Sequence, residues 1–277
     1  MPFVETSAGA SLHYEETGSG RPVVFLHGWA MSARVWRFQQ QLDDSCHLIF
    51  LDQRGHGQSP AAPGYTVQDF AGDLACFFEK LALQDAVLVG WSMGVQVALA
   101  AYPVLRSRLA ALVLVGGTPR FTASDDFPYG QPPLEVKGMG LRLRRDYQKT
   151  MGDFFRGMFA EGEMDNAQYQ RIVHEIVMGG RTPDPDTVRQ SLQILSVADL
   201  REELPGIDRP VLLLHGELDT ICPADASRYM AGRLPEATLR IMDGCGHAPF
   251  MTRPEQFNAL VREFLGTLPG LKDVTKG

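Results

Sequence analysis

Gly90-Trp91-Ser92-Met93-Gly94 sets a serine between an apolar run, Ala86-Val87-Leu88-Val89, and a helical pattern, Val95-Gln96-Val97-Ala98-Leu99-Ala100-Ala101-Tyr102. Strand, tight turn and helix in that order hold a hydroxyl clear at the strand's end. The helix start aims free N–H groups at whatever lies over it. The two glycines allow a sharp turn with no Cβ in the way. Such a serine becomes a nucleophile only with a base, a group that orients the base, and an oxyanion site. Among His13, His27, His47, His56, His174, His215 and His247, only His247 lies late and outside a strand run, in Gly244-Cys245-Gly246-His247-Ala248-Pro249-Phe250. The buried-strand pattern Pro210-Val211-Leu212-Leu213-Leu214 runs into His215-Gly216-Glu217-Leu218-Asp219, so Asp219 falls past a strand's carboxyl end, where catalytic groups of open parallel sheets collect. A further strand pattern, Pro22-Val23-Val24-Phe25-Leu26, ends in His27-Gly28-Trp29. Gly28 lets the chain bend over the serine, so that the backbone N–H of Trp29 can pair with that of Met93 around one oxygen.

The elbow resembles that of the α/β-hydrolases, in which the partners follow in the order serine, acid, histidine. That order selects Ser92, Asp219 and His247 as the triad and makes His215 a strand-end histidine. Asp125 and Asp126, past the preceding strand, are the rival acids, and Asp219 as the N-cap of a helix near Ala224 is the bland reading of that residue. His27 reads as a shaper of the oxyanion loop. His56, in Gly55-His56-Gly57, sits in a glycine-rich turn that lacks the Gly-Lys-Ser/Thr of a phosphate loop.

These groups need a scaffold. Strand patterns at 12–17, 23–26, 48–51, 87–89 and 112–115 alternate with helical patterns at 33–42, 67–81 and 93–102. The alternation resumes at Pro210, with helices near 224–232 and 254–268 and a polar tail from 269 to 277. The expectation is an α/β protein of the α/β-hydrolase fold, with a mostly parallel central sheet and helices on both faces. Between them the proline-bearing loop of Pro119, Pro128, Pro132 and Pro133 gives way to helical stretches at 146–159, 165–178 and 186–196. The predicted division is a core of 1–118 and 199–277 with a helical lid inserted at 119–198.

The 277 residues carry a net charge of −7 and a pI near 5.5, which argues against nucleic-acid or membrane-surface binding. No apolar run approaches the roughly 20 residues that span a bilayer. Cys46, Cys76, Cys222 and Cys245 have no metal or C-x-x-C spacing, and the N-terminus shows no signal-peptide pattern. A cytoplasmic monomer with reduced thiols, no metal and no cofactor is expected.

At a finer level the chain resembles the BioH family, the pimeloyl-acyl-carrier-protein methyl ester esterases of biotin synthesis. The likeness rests on Leu26-His27-Gly28-Trp29 with Val35-Trp36, and on the tryptophan before the elbow serine. It rests also on Ile194-Leu195-Ser196-Val197-Ala198-Asp199-Leu200-Arg201 and on Gly246-His247-Ala248-Pro249-Phe250. The resemblance implies methyl ester hydrolysis through an acyl-enzyme on Ser92. It also implies a substrate slot between Trp29 and Met93 on the core side and Phe154, Phe155, Arg156, Gly157 and Met158 on the lid side. Short-chain carboxylesterases, enol-lactonases and carbon–carbon bond hydrolases share the triad and remain alternatives, with small esters as substrates. The family further implies an acyl-carrier protein recognised by basic lid residues. Lys149 fits that pattern, whereas Asp153 stands where a basic residue is expected, and Val95 replaces a second glycine after the elbow. From residue 134 to 149 five basic side chains face two acidic ones, a local charge of +3. Arg142, Arg144, Arg145 and Lys149 are thus candidates for carrier docking, and a solvated helix face is the plainer reading of the same patch.

Overall fold

The protein is described by a computed structural model covering residues 2–178, 180–181 and 184–269, so most of the polar tail lies outside the described residues. Eight strands form one sheet in the order β1-β2-β4-β3-β5-β6-β7-β8. They are β1 (Phe3–Glu5), β2 (Ser11–Gly18), β3 (Arg21–Leu26), β4 (Cys46–Leu51), β5 (Ala86–Trp91), β6 (Leu109–Val115), β7 (Val211–Gly216) and β8 (Ala237–Met242). β2 is antiparallel to both its neighbours, and from β4 to β8 all pairings are parallel.

Alternate residues of the strands feed two apolar layers, because successive side chains point to opposite faces. Val24, Leu26, Leu88, Leu112 and Leu213 pack under α1 (Val67–Lys80) and α2 (Met93–Leu105). Val23, Phe25, Val89, Val113 and Leu214 pack under the 3₁₀ segment Ala33–Leu42 and α9 (Pro254–Thr267), with the Trp36 and Phe250 rings tilted against each other, centroids 4.3 Å apart. α7 (Ala224–Ala231) and the short α8 (Pro249–Thr252) complete the core. α2 runs three residues past Tyr102 and takes Pro103 into its last turns.

Between β6 and β7 lie α3 (Pro133–Arg145), α4 (Tyr147–Arg156), α5 (Asn166–Ile172), a π-helical turn at Val173–Met178, and α6 (Pro185–Val197). α3 starts within what reads in sequence as a proline-bearing loop. Pro132 sits at its N-cap and Pro133 in its first turn, where a missing N–H removes nothing from the helix. The chain leaves and re-enters the core at one neck. There Arg120 bridges to Asp199 and the Leu200 N–H donates to the Pro119 carbonyl at 2.9 Å. Among the described residues, no helix is long and apolar enough to cross a membrane.

Candidate active site

Register brings the loops together. Leu26 of β3 pairs with Gly90 of β5, so His27-Gly28-Trp29 and Trp91-Ser92 leave the sheet side by side. Gly216 of β7 pairs with Met242 of β8, which places the Asp219 and His247 loops next to each other at the same edge. The turn at Ser92 is strained in the serine itself, at φ 55° and ψ −116°, a region that side chains rarely adopt. The glycines meet a different need. A Cβ on Gly90 would lie 2.5 Å from the Gly94 carbonyl oxygen, and one on Gly94 would lie 2.7 Å from that of Leu26. Both are required by close backbone approach rather than by positive φ. The Ser92 N–H donates to the Val115 carbonyl at 3.0 Å, which pins the elbow to β6.

His247 Nε2 lies 2.9 Å from Ser92 Oγ, and His247 Nδ1 lies 2.7 Å from Asp219 Oδ2. A carboxylate only accepts, so Nδ1 carries the proton and Nε2 offers its lone pair to the serine hydroxyl. Asp219 and His247 are both buried. Asp219 Oδ1 accepts the N–H groups of Ile221 and Cys222 at 2.8 and 2.9 Å, so its turn is self-bonded. It does not cap α7, whose N-cap is Pro223. Burial alone would raise its carboxyl, but the charge of and hydrogen bonds from the adjoining His247 and His215 rings hold it well below the usual carboxylate range. Asp126 is exposed and engaged elsewhere, with the Ser124 hydroxyl and Arg201 at the neck holding its carboxyl down at about 2. The rival Asp125 is exposed as well.

His215 is the partner that sequence reasoning missed. Its Nε2 lies 2.6 Å from the Cys222 carbonyl oxygen and 3.1 Å from Asp219 Oδ2, and its Nδ1 lies 2.7 Å from Ser227 Oγ. The ring therefore braces the same carboxylate oxygen that His247 Nδ1 contacts. The chain order that excludes it as the base carries no hint of this role.

The His27-Gly28-Trp29 loop is packed onto the elbow. A Cβ on Gly28 would meet the Trp91 ring at 3.0 Å and Ser92 Cβ at 3.1 Å. His27 commits both ring nitrogens to backbone, Nδ1 to the Gly28 carbonyl at 2.8 Å and Nε2 to the Gln53 N–H at 3.1 Å. Burial pushes its pKa below the ordinary imidazole value. Met93 is the first residue of α2, so its N–H has no carbonyl four residues back within the helix and is available to an incoming oxygen.

A cleft of about 140 Å³ opens beside Trp29 and the Thr220-Ile221 turn, walled by Phe121, Met139, Phe154 and Leu192. Trp29 meets Phe154 edge to face at 5.0 Å and donates its indole N–H to the Val188 carbonyl at 3.0 Å. The stretch 154–158 is split by helix geometry. Phe154 faces this cleft, while Phe155 and Arg156 line a second cavity of about 360 Å³ with Met31, Val35 and Tyr169. Gly157 ends α4, and Met158 is buried with its carbonyl on the His247 N–H at 2.7 Å. The basic candidates divide too. Arg142 lines the cleft beside Trp29 and faces Glu135 at 3.8 Å, and Lys149 is paired with Asp153 at 2.6 Å. Arg144 and Arg145 are exposed on α3 and form no ion pair among the described residues. No group of acidic, histidine or cysteine side chains able to hold a metal occurs among the described residues.

Comparison with known proteins agrees with this architecture. A family model of the alpha/beta hydrolase fold matches residues 21–254. A pimeloyl-[acyl-carrier protein] methyl ester esterase of Nitrosomonas europaea is 36% identical over 90% of this chain and 97% of its own length. One from Nitrosospira multiformis is 31% identical over 92% of this chain and 98% of its own. Among solved structures, an esterase from Exiguobacterium antarcticum superposes with a TM-score of 0.89 at 28% identity, covering 96% of this chain and 99% of that one. The chain belongs to the α/β-hydrolase fold family and, within it, to the pimeloyl-[acyl-carrier protein] methyl ester esterases.

Proposed function

We propose that the protein is a serine carboxylesterase that hydrolyses the methyl ester of a pimeloyl group carried on an acyl-carrier protein, releasing methanol. The observation that carries this reading is the unbroken relay from Ser92 Oγ through His247 to Asp219, at 2.9 and 2.7 Å. Ser92 Oγ attacks the ester carbonyl as its proton passes to His247 Nε2. The carbonyl oxygen takes the negative charge under the N–H groups of Trp29 and Met93. His247 then gives the proton to the departing methoxide, leaving an acyl-enzyme, and activates the water that frees the acid. Asp219 stays ionised throughout and stabilises the imidazolium. No metal or organic cofactor takes part.

In this reading residues 119–198 form a lid on the core, Trp29 and Phe154 contact the acyl chain in the cleft, and Met93, fully buried and outside the cleft lining, contributes its backbone N–H. The carrier docks on the outer face of α3, chiefly on Arg144 and Arg145, because Lys149 and Arg142 already face acidic partners. The enzyme works as a cytoplasmic monomer. The deciding experiment is incubation with pimeloyl-carrier methyl ester, followed by mass spectrometry. The expected result is loss of one methylene mass from the carrier, absent with Ser92→Ala. Hydrolysis of free short-chain esters with no action on the carrier-bound ester would favour a general carboxylesterase, the reading to which the small, mainly apolar cleft also lends support.

A further inference from the structure

The turn between α4 and α5 reaches across to the loop that carries His247. The Met158 carbonyl accepts the His247 N–H at 2.7 Å. Glu163, 4% exposed, spends both carboxylate oxygens on the same connection. Its Oε2 accepts the N–H groups of Gly246 at 2.9 Å and Ala160 at 2.7 Å, and its Oε1 accepts the Thr252 hydroxyl at 2.5 Å. The fit is tight, since a Cβ on Gly246 would lie 2.5 Å from the Met158 carbonyl oxygen and 3.1 Å from Glu163 Oε2. Residues on both sides of the base, Gly246 and Thr252, are therefore held by one side chain that comes from the inserted segment.

Its chemistry is specific. A buried carboxylate is expensive unless donors satisfy it, and here three donors converge on one group. No Lys, Arg or His pairs with Glu163 among the described residues. Oε2 in particular must be an acceptor, because both groups that reach it are backbone N–H donors. Glutamine has the same shape, but it removes the charge and reverses the Thr252 bond, because that hydroxyl must then accept from the NH₂ and turn its own proton away. A neutral apolar residue would serve plain packing better than an unpaired acid, so the acid implies that the position of the loop matters.

We propose that Glu163 is a positioning residue for His247, and that the 158–163 turn of the insertion is part of the scaffold that holds the catalytic base rather than only a cover over the cleft. This rests on the Ser92–His247–Asp219 reading of the site. Any shift of the turn carries His247 with it, and a misplacement of about 1 Å can reduce rate about 100-fold.

The test is Glu163→Gln, assayed on a p-nitrophenyl ester that needs no carrier, with functional sites counted by a fluorophosphonate and the fold followed by circular dichroism. The expected result is a kcat per titrated site that falls roughly 10- to 100-fold with KM little changed. A lower kcat per titrated site at unchanged KM is a split that mere loss of folded protein would not produce. Thr252→Val, which removes one donor and leaves the Gly246 contact, should give a smaller loss of the same kind, and it carries the test if Glu163→Gln fails to fold. Wild-type kcat per site would overturn the proposal, as would a loss explained wholly by fewer folded sites. Ser92→Ala is run beside it. If Ser92→Ala is inert and Glu163→Gln is normal, only the positioning role falls. If Ser92→Ala turns over normally, the triad reading falls and takes this one with it.

Discussion

Ser92, Asp219 and His247 on the sheet and Arg144 and Arg145 on the insertion stand at opposite extremes of constraint. Ser92 is pinned through its N–H to β6, Asp219 is bonded into its own turn and braced by His215, and His247 has both ring nitrogens and its backbone N–H and carbonyl engaged. The two arginines lie on a helix that also exposes Leu134 and Leu141, at 79% and 58%. The sheet positions groups for chemistry, where tenths of an ångström matter. α3 presents charges in water, where only their sum over a patch is felt. The 158–163 turn is where the insertion takes on the constraint of the core.

Ser92→Ala breaks the comparison on the constrained side and should have the largest effect, lowering kcat by about 10⁴ to 10⁶ with circular dichroism unchanged. Substantial turnover by the folded variant would remove the serine from the reaction.

Asp219→Asn follows, with a loss of about 10⁴ in kcat, because an amide no longer fixes the Nδ1–H tautomer or stabilises the imidazolium. Asp126→Asn should stay near wild type, since its carboxylate serves the ion cluster at the neck. The opposite pattern would move the acid to the loop after β6.

A third test concerns stability in the core. Burial drives the pKa of His56 from 6.5 down to about 3, helped by His27 nearby. The unfolded chain binds a proton there below pH 6.5 and the folded protein does not until about 3, so stability is full above pH 6.5 and falls as pH drops through that window. The slope from this group is on the order of 1.4 kcal/mol per pH unit. Urea unfolding of His56→Gln at pH 7, 6 and 5 should show a shallower acid loss than wild type, whatever its absolute stability. Parallel slopes would show that another group titrates.

The smallest effect is expected on the unconstrained side. Arg144→Glu with Arg145→Glu should raise KM for a carrier-bound ester several-fold, an effect that shrinks as salt rises past about 0.15 M. Hydrolysis of a small free ester should hardly change. Equal losses on both substrates would mean a damaged helix, and no change on either would leave these charges as solvated surface.

The apolar strand runs, the elbow glycines and the order Ser92, Asp219, His247 were legible because each is a local pattern. Strand periodicity and turn chemistry act over a few residues. α3 was hidden because prolines at 132 and 133 read as loop when no neighbour shows that they open a helix. The stretch 154–158 reads as one apolar stripe, yet consecutive helical positions point some 100° apart, so Phe154 and Phe155 face different cavities.

By itself the sequence determined the fold class, the strand–turn–helix around Ser92 and the identities of the triad candidates, since burial pattern and backbone sterics dictate these locally. Only the tertiary structure decided which side chains hold them. Glu163 meets Gly246 across 83 positions, and His247 meets Ser92 across 155. His215 reaches Asp219 only because the loop after β7 folds back over the strand end. Such contacts follow from how strands and the insertion dock, and short-range periodicity carries no record of that.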